Sequence, residues 1–256
     1  MITQYEVKNR IAYITLNRPE KRNAISNEMV SELMGAFTKA EQDDSVKVVV
    51  LRSNGSSFCA GADLAYLQQL QKFTYSENLE DSNHLKGLFL KIYTLSKVVI
   101  AQIQGHALAG GCGLATICDF SFSVPEAKFG YTEVRIGFIP ALVKVFLIRK
   151  IGEGKARELL LTGDLIEAVK AKDLGLINYV VIADELESKV EEFAQKLITQ
   201  NSAQSMAYTK KMICEVQSKG LEDALKYAAE MNAKARASED CQKGIAAFLN
   251  KEKVEW

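Results

Sequence analysis

The chain has only two histidines, His84 and His106, and three prolines in 256 residues. Two histidines cannot build a His-rich metal centre, and neither stands in an HExxH pattern. There is no GxxxxGK[ST] phosphate loop, no GxGxxG after a strand and no GxSxG nucleophile elbow. The five cysteines (Cys59, Cys112, Cys118, Cys214 and Cys241) form no CxxC pair. That speaks against a zinc site or disulfide framework, and for a reducing, cytoplasmic setting. Excess charge is missing too: 32 basic and 32 acidic residues cancel, so no global field draws the chain to nucleic acid or a membrane. The opening MITQYEVKNR carries charges and no apolar run, so no signal peptide is expected. Neither an internal repeat nor a low-complexity linker divides the chain.

Hydrophobic residues make up 48% and charged residues 25%, the balance of a globular protein with a sizeable core. One uncharged run, Val98 to Cys118, spans 21 residues, enough to cross a bilayer. Gln102, Gln104, His106 and four glycines interrupt it, so it reads as a buried strand, a turn and a buried helix.

Upstream, YEVKNRIAYITLNRP predicts a hairpin about Lys8-Asn9-Arg10, ended by Pro19. Ser26 or Asn27 can cap a helix bearing Met29, Val30, Leu33, Met34 and Phe37 at helical spacing. VKVVVLRS predicts a buried strand and NGSSFCAGA a glycine-rich loop; Asp63 can cap a helix carrying Leu64, Leu67 and Leu70. The polar stretch Thr74 to Asn83 is expected to separate that helix from another ending near Ser96, and FSFSV to form a short strand. Apolar strands alternating with helices indicate a parallel α/β core. From about Leu142 the chain turns mostly helical, with one strand near LINYVV and three long amphipathic stretches between Asp184 and Phe248.

Two glycine-containing turns, FCAGADL and LAGGCGL, each lead from a strand into a helix. Glycine inside a helix costs roughly 1 kcal/mol relative to alanine, so Gly110, Gly111 and Gly113 together imply a close approach to the backbone. Either the turns simply pack helix against strand, or their free N–H groups converge as an oxyanion hole for a carbonyl that becomes an enolate. In AKFGYTEVRIGFIP, Glu133 lies among Phe129, Tyr131, Val134, Ile136 and Phe138. It is either a partly desolvated acid/base with a raised pKa or an exposed acid paired with Arg135. His84 reads as solvated, His106 as packed or hydrogen-bonded, and Cys112 as a small core residue.

NRPEKRNAIS, FCAGADL, IAQIQGHALAGGCGLATICDF, KFGYTEVRIGFIP and LLLTGDLIEAVKAKDLGLINYVV, in that order, resemble the enoyl-CoA hydratase/isomerase (crotonase) superfamily. The resemblance implies an α/β fold: a spiral of ββα units over residues 1–195 and a C-terminal helical oligomerisation region, 196–256, assembling trimers often paired into hexamers. It also implies that the Ala62 and Gly110 N–H groups hold the thioester oxygen of an acyl-CoA. By the same similarity, Arg22, Asn23, Ala24 and the segment Ala60, Gly61, Ala62, Asp63 and Leu64 face the CoA. Phe248 and Lys251 would reach a CoA at a subunit contact. No metal is implied, and no cofactor beyond the CoA of the substrate.

Two-glutamate hydratases of this superfamily carry one acid at the Glu133 position and another where this chain has Gly113. Losing one is expected to weaken hydration about 10² to 10⁴-fold if nothing replaces it. A lone glutamate suffices for a double-bond shift, yet single-glutamate members that add or remove water also exist. The spelling of FCAGADL favours hydratase; delta-isomerase is the alternative, and a weakly catalytic acyl-CoA- or RNA-binding protein a further one. PALVKVFLI replaces the usual PGAGGTQRL-like stretch, implying a bulkier pocket wall and an unusual, branched or short acyl group.

Overall fold

The computed structural model describes residues 1–256. The hairpin forms as expected, β1 (Thr3–Lys8) against β2 (Ile11–Leu16), turning through Asn9 and Arg10 at positive φ of 53° and 65°. Helix α1 (Asn27–Gln42) starts at Ser26, whose hydroxyl accepts the Met29 N–H, and it buries Met29, Val30, Leu33 and Phe37. Next come β3 (Val48–Ser53), β4 (Ser57–Cys59), α2 (Leu64–Leu70) and α3 (Tyr75–Thr94). The polar stretch from Thr74 to Asn83 does not separate helices: Thr74 and Glu77 form a capping box, and the stretch becomes the solvated first half of α3.

The chain continues with β5 (Val98–Ile103), β6 (His106–Leu108), α4 (Gly110–Ile117), β7 (Phe120–Ser123) and β8 (Lys128–Gly130). Then follow α5 (Val143–Ile151), α6 (Glu153–Thr162), β9 (Ile166–Glu167), α7 (Ala168–Asp173) and β10 (Tyr179–Val180). Four helices close it: α8 (Leu186–Gln200), α9 (Ala203–Val216), α10 (Leu221–Arg236) and α11 (Glu239–Asn250). The three expected stretches are four helices because the chain breaks at Asn201 and restarts where Ser202 caps α9.

The main sheet has the order β1-β2-β3-β5-β7-β10, and only β1 is antiparallel to its neighbour. Val48–Leu51 of β3 pair with Val98–Ala101 of β5, all buried, as strands covered on both faces require. A smaller sheet, β4-β6-β8-β9, stands beside it, with β4, β6 and β8 parallel. Its strands β4 and β6 lie within the two glycine stretches that read as loop and turn. No helix is long and apolar enough to cross a membrane.

The position between 195 and 196 falls inside α8, which buries Val190, Ala194, Leu197 and Ile198 and packs on β3, β5 and β7. Helix α9 is pinned to the core by a buried lysine. Lys210 Nζ pairs with Asp119 at 2.6 Å and donates to the carbonyls of Lys97 (3.0 Å) and Ile92 (3.3 Å), the latter near the end of α3. Lys210→Met keeps the apolar stem but strands these acceptors. It is expected to lower stability by about 2–4 kcal/mol in urea unfolding.

Candidate active site

The segment after the 3-10 turn Pro19–Lys21 runs beside the first glycine turn. Ile25 bridges Ala62: the Ile25 N–H donates to Gly61 O (2.7 Å) and the Asp63 N–H to Ile25 O (2.9 Å). Ala60 N–H donates to Arg22 O at 3.0 Å, extending the contact. The Ala62 N–H faces away from this pairing and makes no backbone hydrogen bond. The same holds for the Gly110 N–H at the start of α4.

The two turns touch. Gly61 has φ 91°, and a Cβ there would meet Ala109 Cβ at 2.8 Å and Gly110 N at 3.4 Å. Ala109 itself sits at φ 49° and ψ −123°, unfavourable for an L-residue, and its N–H is held by Gly130 O at 2.7 Å. The glycines of α4 differ in their reasons. Gly111 is required by the protein's own packing, since a Cβ would fall 2.2 Å from Cys59 O. At Gly110 a Cβ would meet the flexible end of the Ile25 side chain, Cδ1, at 3.1 Å, a tight contact but not a backbone collision.

Glu133 opens the 3-10 turn Glu133–Ile136, shortly after β8. It is 9% exposed, and its Oε2 has no hydrogen-bond partner. Burial pushes its pKa above the ordinary glutamate value, opposed only by a hydrogen bond from its own N–H. Arg135 turns away to pair with Asp164 at 2.5 Å, so the reading of Glu133 as an exposed acid paired with Arg135 falls. Of the expected apolar neighbours, Phe129 and Tyr131 are buried, whereas Ile136 and Phe138 are exposed.

The other named residues divide by what their side chains do. Asn23 is fully buried and spent internally: its Oδ1 accepts the Arg18 N–H, and its amide donates to Asn54 O and Ser57 O. Asp63 caps α2 through the Ala65 and Tyr66 N–H groups and pairs with Arg18 at 2.7 Å. Burial would raise its pKa, but these bonds outweigh it and hold the carboxyl low. Arg18 was not legible as a partner from sequence, being 45 residues before Asp63. Arg22 and Leu64 are exposed, Ala24 is buried and Ala60 half-buried beside the turns. Phe248 (83% exposed) and Lys251 lie at the end of α11, which packs on α9 and α10 rather than on this cluster.

His106 accepts the Lys128 N–H, in keeping with a hydrogen-bonded role. His84 is not simply solvated, because its ring bonds Asn27 and Ser31 of α1. Cys112 is fully buried, which pushes its thiol up to about 12 and leaves it a core residue. No group of His, Cys, Asp and Glu in the structure could hold a metal ion.

The sequence profile of the Enoyl-CoA hydratase/isomerase family matches residues 6–256. The chain belongs to this family. It is 41% identical over 244 residues to a putative enoyl-CoA hydratase of Thermus thermophilus, covering 95% of this chain and 96% of that one. It is 33% identical over 251 residues to the crotonyl-CoA hydratase of Syntrophomonas wolfei, covering 97% and 95% of the two chains. Among solved structures, an enoyl-CoA hydratase of Mycobacterium smegmatis superposes with a TM-score of 0.94 at 30% identity, over 100% of this chain and 99% of that one. The α/β architecture is therefore the crotonase fold.

Within that family fold, Gly113 is one turn beyond Gly110 on α4, and the volume a side chain would enter is already filled. A Cβ at 113 would lie 2.3 Å from Val143 Cγ1 and 2.9 Å from Phe89 Cε1. Gly113→Glu is expected to destabilise the fold by about 3 kcal/mol through overpacking, without a gain in hydration. Adding Val143→Ala should recover part of that loss in thermal unfolding.

Proposed function

We propose that this chain is an acyl-CoA enzyme of the hydratase type. The thioester oxygen sits on the Ala62 and Gly110 N–H groups, and Glu133 is the only side-chain acid/base. The observation that carries this reading is the contact between two turns that each present an unpaired N–H, with a buried carboxylate, one oxygen of it unpartnered, shortly past the strand that ties to Ala109. As negative charge develops on the thioester oxygen, two fixed donors and the N-terminal end of α4 stabilise it without reorganising. Glu133, kept basic by burial, moves the proton at the carbon next to that carbonyl. The reaction draws on no metal and on no cofactor beyond the CoA carried by the substrate.

The relatives' names support hydration of an enoyl-CoA, and one relative is named for crotonyl-CoA. A double-bond shift is the second reading, favoured by a specific observation: Val143 and Phe89 occupy the place of a second acid. One carboxylate can return the proton it removes, with no water to place. A panel of straight and branched 2-enoyl-CoA and 3-enoyl-CoA substrates separates the two. Hydration adds the mass of water and isomerisation leaves mass unchanged.

Glu133→Gln is expected to cut turnover at least about 10²-fold with acyl-CoA affinity nearly unchanged. Retention of more than about half the activity would place the base elsewhere. Because the folded pKa is raised, the rate should fall as pH drops through a value above the ordinary glutamate range. The sign for stability is opposite to that for activity. Below the unfolded pKa the neutral acid costs little, and above the folded pKa a buried charge penalises the native state. Glu133→Gln should therefore raise the melting temperature at neutral pH even as turnover collapses.

The reading extends to assembly. Leu221, Leu225, Ile245, Phe248 and Leu249 of α10 and α11 are all more than half exposed, an apolar surface that a lone subunit would leave in water. We infer a homotrimer or hexamer in which Phe248 and Lys251 meet a neighbour's CoA. Light scattering at micromolar concentration should give a multiple of three subunits, and a monomer would contradict it.

A further inference from the structure

No protein group bonds the free oxygen of the Glu133 carboxylate. Its position must therefore be inherited from the backbone that carries it, Gly130-Tyr131-Thr132-Glu133. That segment is tied to α4 at both ends of the helix. At the start, the Ala109 N–H donates to Gly130 O at 2.7 Å. Near the end, the Tyr131 hydroxyl meets Thr116 Oγ1 at 2.7 Å.

The direction of the second bond can be worked out. Thr116 has one hydroxyl proton, and it is given to Cys112 O at 2.8 Å. Tyr131 must then be the donor, with Thr116 Oγ1 as acceptor. The Tyr131 side chain is fully buried, and burial holds its pKa well above the ordinary tyrosine value, so it keeps the proton it donates. Cys112 Sγ also contacts the same hydroxyl. Two anchors at opposite ends of one rigid helix fix both the translation and the rotation of the segment. The first anchor belongs to the β6–β8 pairing, and the Tyr131 hydroxyl adds a side-chain tie beyond the strand's end.

We propose that Tyr131 is a positioning residue: through Thr116 it holds Glu133 in register with the Gly110 N–H at the other end of the same helix. This rests on the reading of Glu133 as the acid/base. The base and the oxyanion donor are thus referenced to one element, α4, although they lie on different segments of the chain. Misplacing a reacting group by about 1 Å can cost up to about 10²-fold in rate, so loss of one of two anchors should cost less than loss of the base itself.

Tyr131→Phe removes the hydroxyl and keeps the ring. Measured on the best enoyl-CoA substrate, kcat is expected to fall about 5- to 20-fold with KM within about twofold. The acid limb of the kcat/KM pH profile should move to lower pH, because a loosened carboxylate gains water and its raised pKa relaxes. A purely structural role would lower the melting temperature but leave that limb in place. Thr116→Ser should retain activity and Thr116→Val should reproduce the loss, with the double variant Tyr131→Phe/Thr116→Val no worse than either single one.

A Tyr131→Phe enzyme with kcat within about twofold of the parent and an unmoved acid limb overturns the proposal. If Tyr131→Phe does not fold, equal activity of Thr116→Ser and Thr116→Val overturns it instead. Glu133→Gln, assayed alongside, separates the two levels. An active Glu133→Gln removes the reading beneath the proposal, whereas an inactive one beside an unaffected Tyr131→Phe removes the proposal alone.

Discussion

A helix buried on nearly every side must dispose of the polar groups at its two ends, and α4 does so asymmetrically. Its C-terminal carbonyls are closed by Lys150, whose ammonium donates to Thr116 O at 2.8 Å and Cys118 O at 3.1 Å. Its first N–H, at Gly110, is left open. With the negative end of the dipole answered by a cation, the positive end is the one place where the helix still calls for an anion. The surrounding structure is arranged to keep that end in place. Cys59 O presses on Gly111, Val143 and Phe89 on Gly113, and β8 holds Ala109 through its carbonyl.

Lysines do the same work at other helix ends. Lys47 reaches Ile198 O (2.7 Å) and Asn201 O (2.6 Å) at the end of α8, and Lys155 reaches Leu174 O at 3.3 Å at the end of α7. Lys210 closes α3 from α9. A lysine suits this task because its long apolar stem crosses packed side chains while three donors remain at the tip. Burial lowers the pKa of Lys47, to about 8, and of Lys150. Apart from Lys155, which links the successive helices α6 and α7, these contacts join elements more than 30 residues apart in sequence. Together they clamp the sheet, α4 and the C-terminal helices into one body.

Much of the fold and part of the site could be read in the sequence, for physical reasons that differ by element. The β1–β2 turn, the Ser26 cap and the Asp63 cap were legible because each is a local hydrogen-bonding device with a residue signature. The strands of the smaller sheet were hidden because three residues carry no readable period. The polar first half of α3 read as a separator, since a solvated helix lacks an apolar stripe and only the Thr74–Glu77 box reveals it. At the site, the two glycine turns and the acid Glu133 in an apolar stretch stood out, whereas Ala62 and Gly110 were singled out as donors by the family resemblance. Arg18, Tyr131, Thr116 and Val143 did not stand out, because what they do depends on who meets them across the fold. Asn23 shows the converse. It sits in a motif, but its side chain is consumed by the Arg18, Asn54 and Ser57 backbone.

The packing at Gly113 is constrained from two sides. Glycine on one helix and a branched valine on the next form a size-matched pair, with the Phe89 ring as a third member. Neither partner can change first without harm: a larger residue at 113 collides, and a smaller one at 143 leaves a void. A carboxylate therefore cannot be introduced at position 113 by substitution there alone without straining the core. On the proposed single-acid reading, a second acid could enter only through a loosened interior, which ties the chemistry of the site to the packing of α4 against α5.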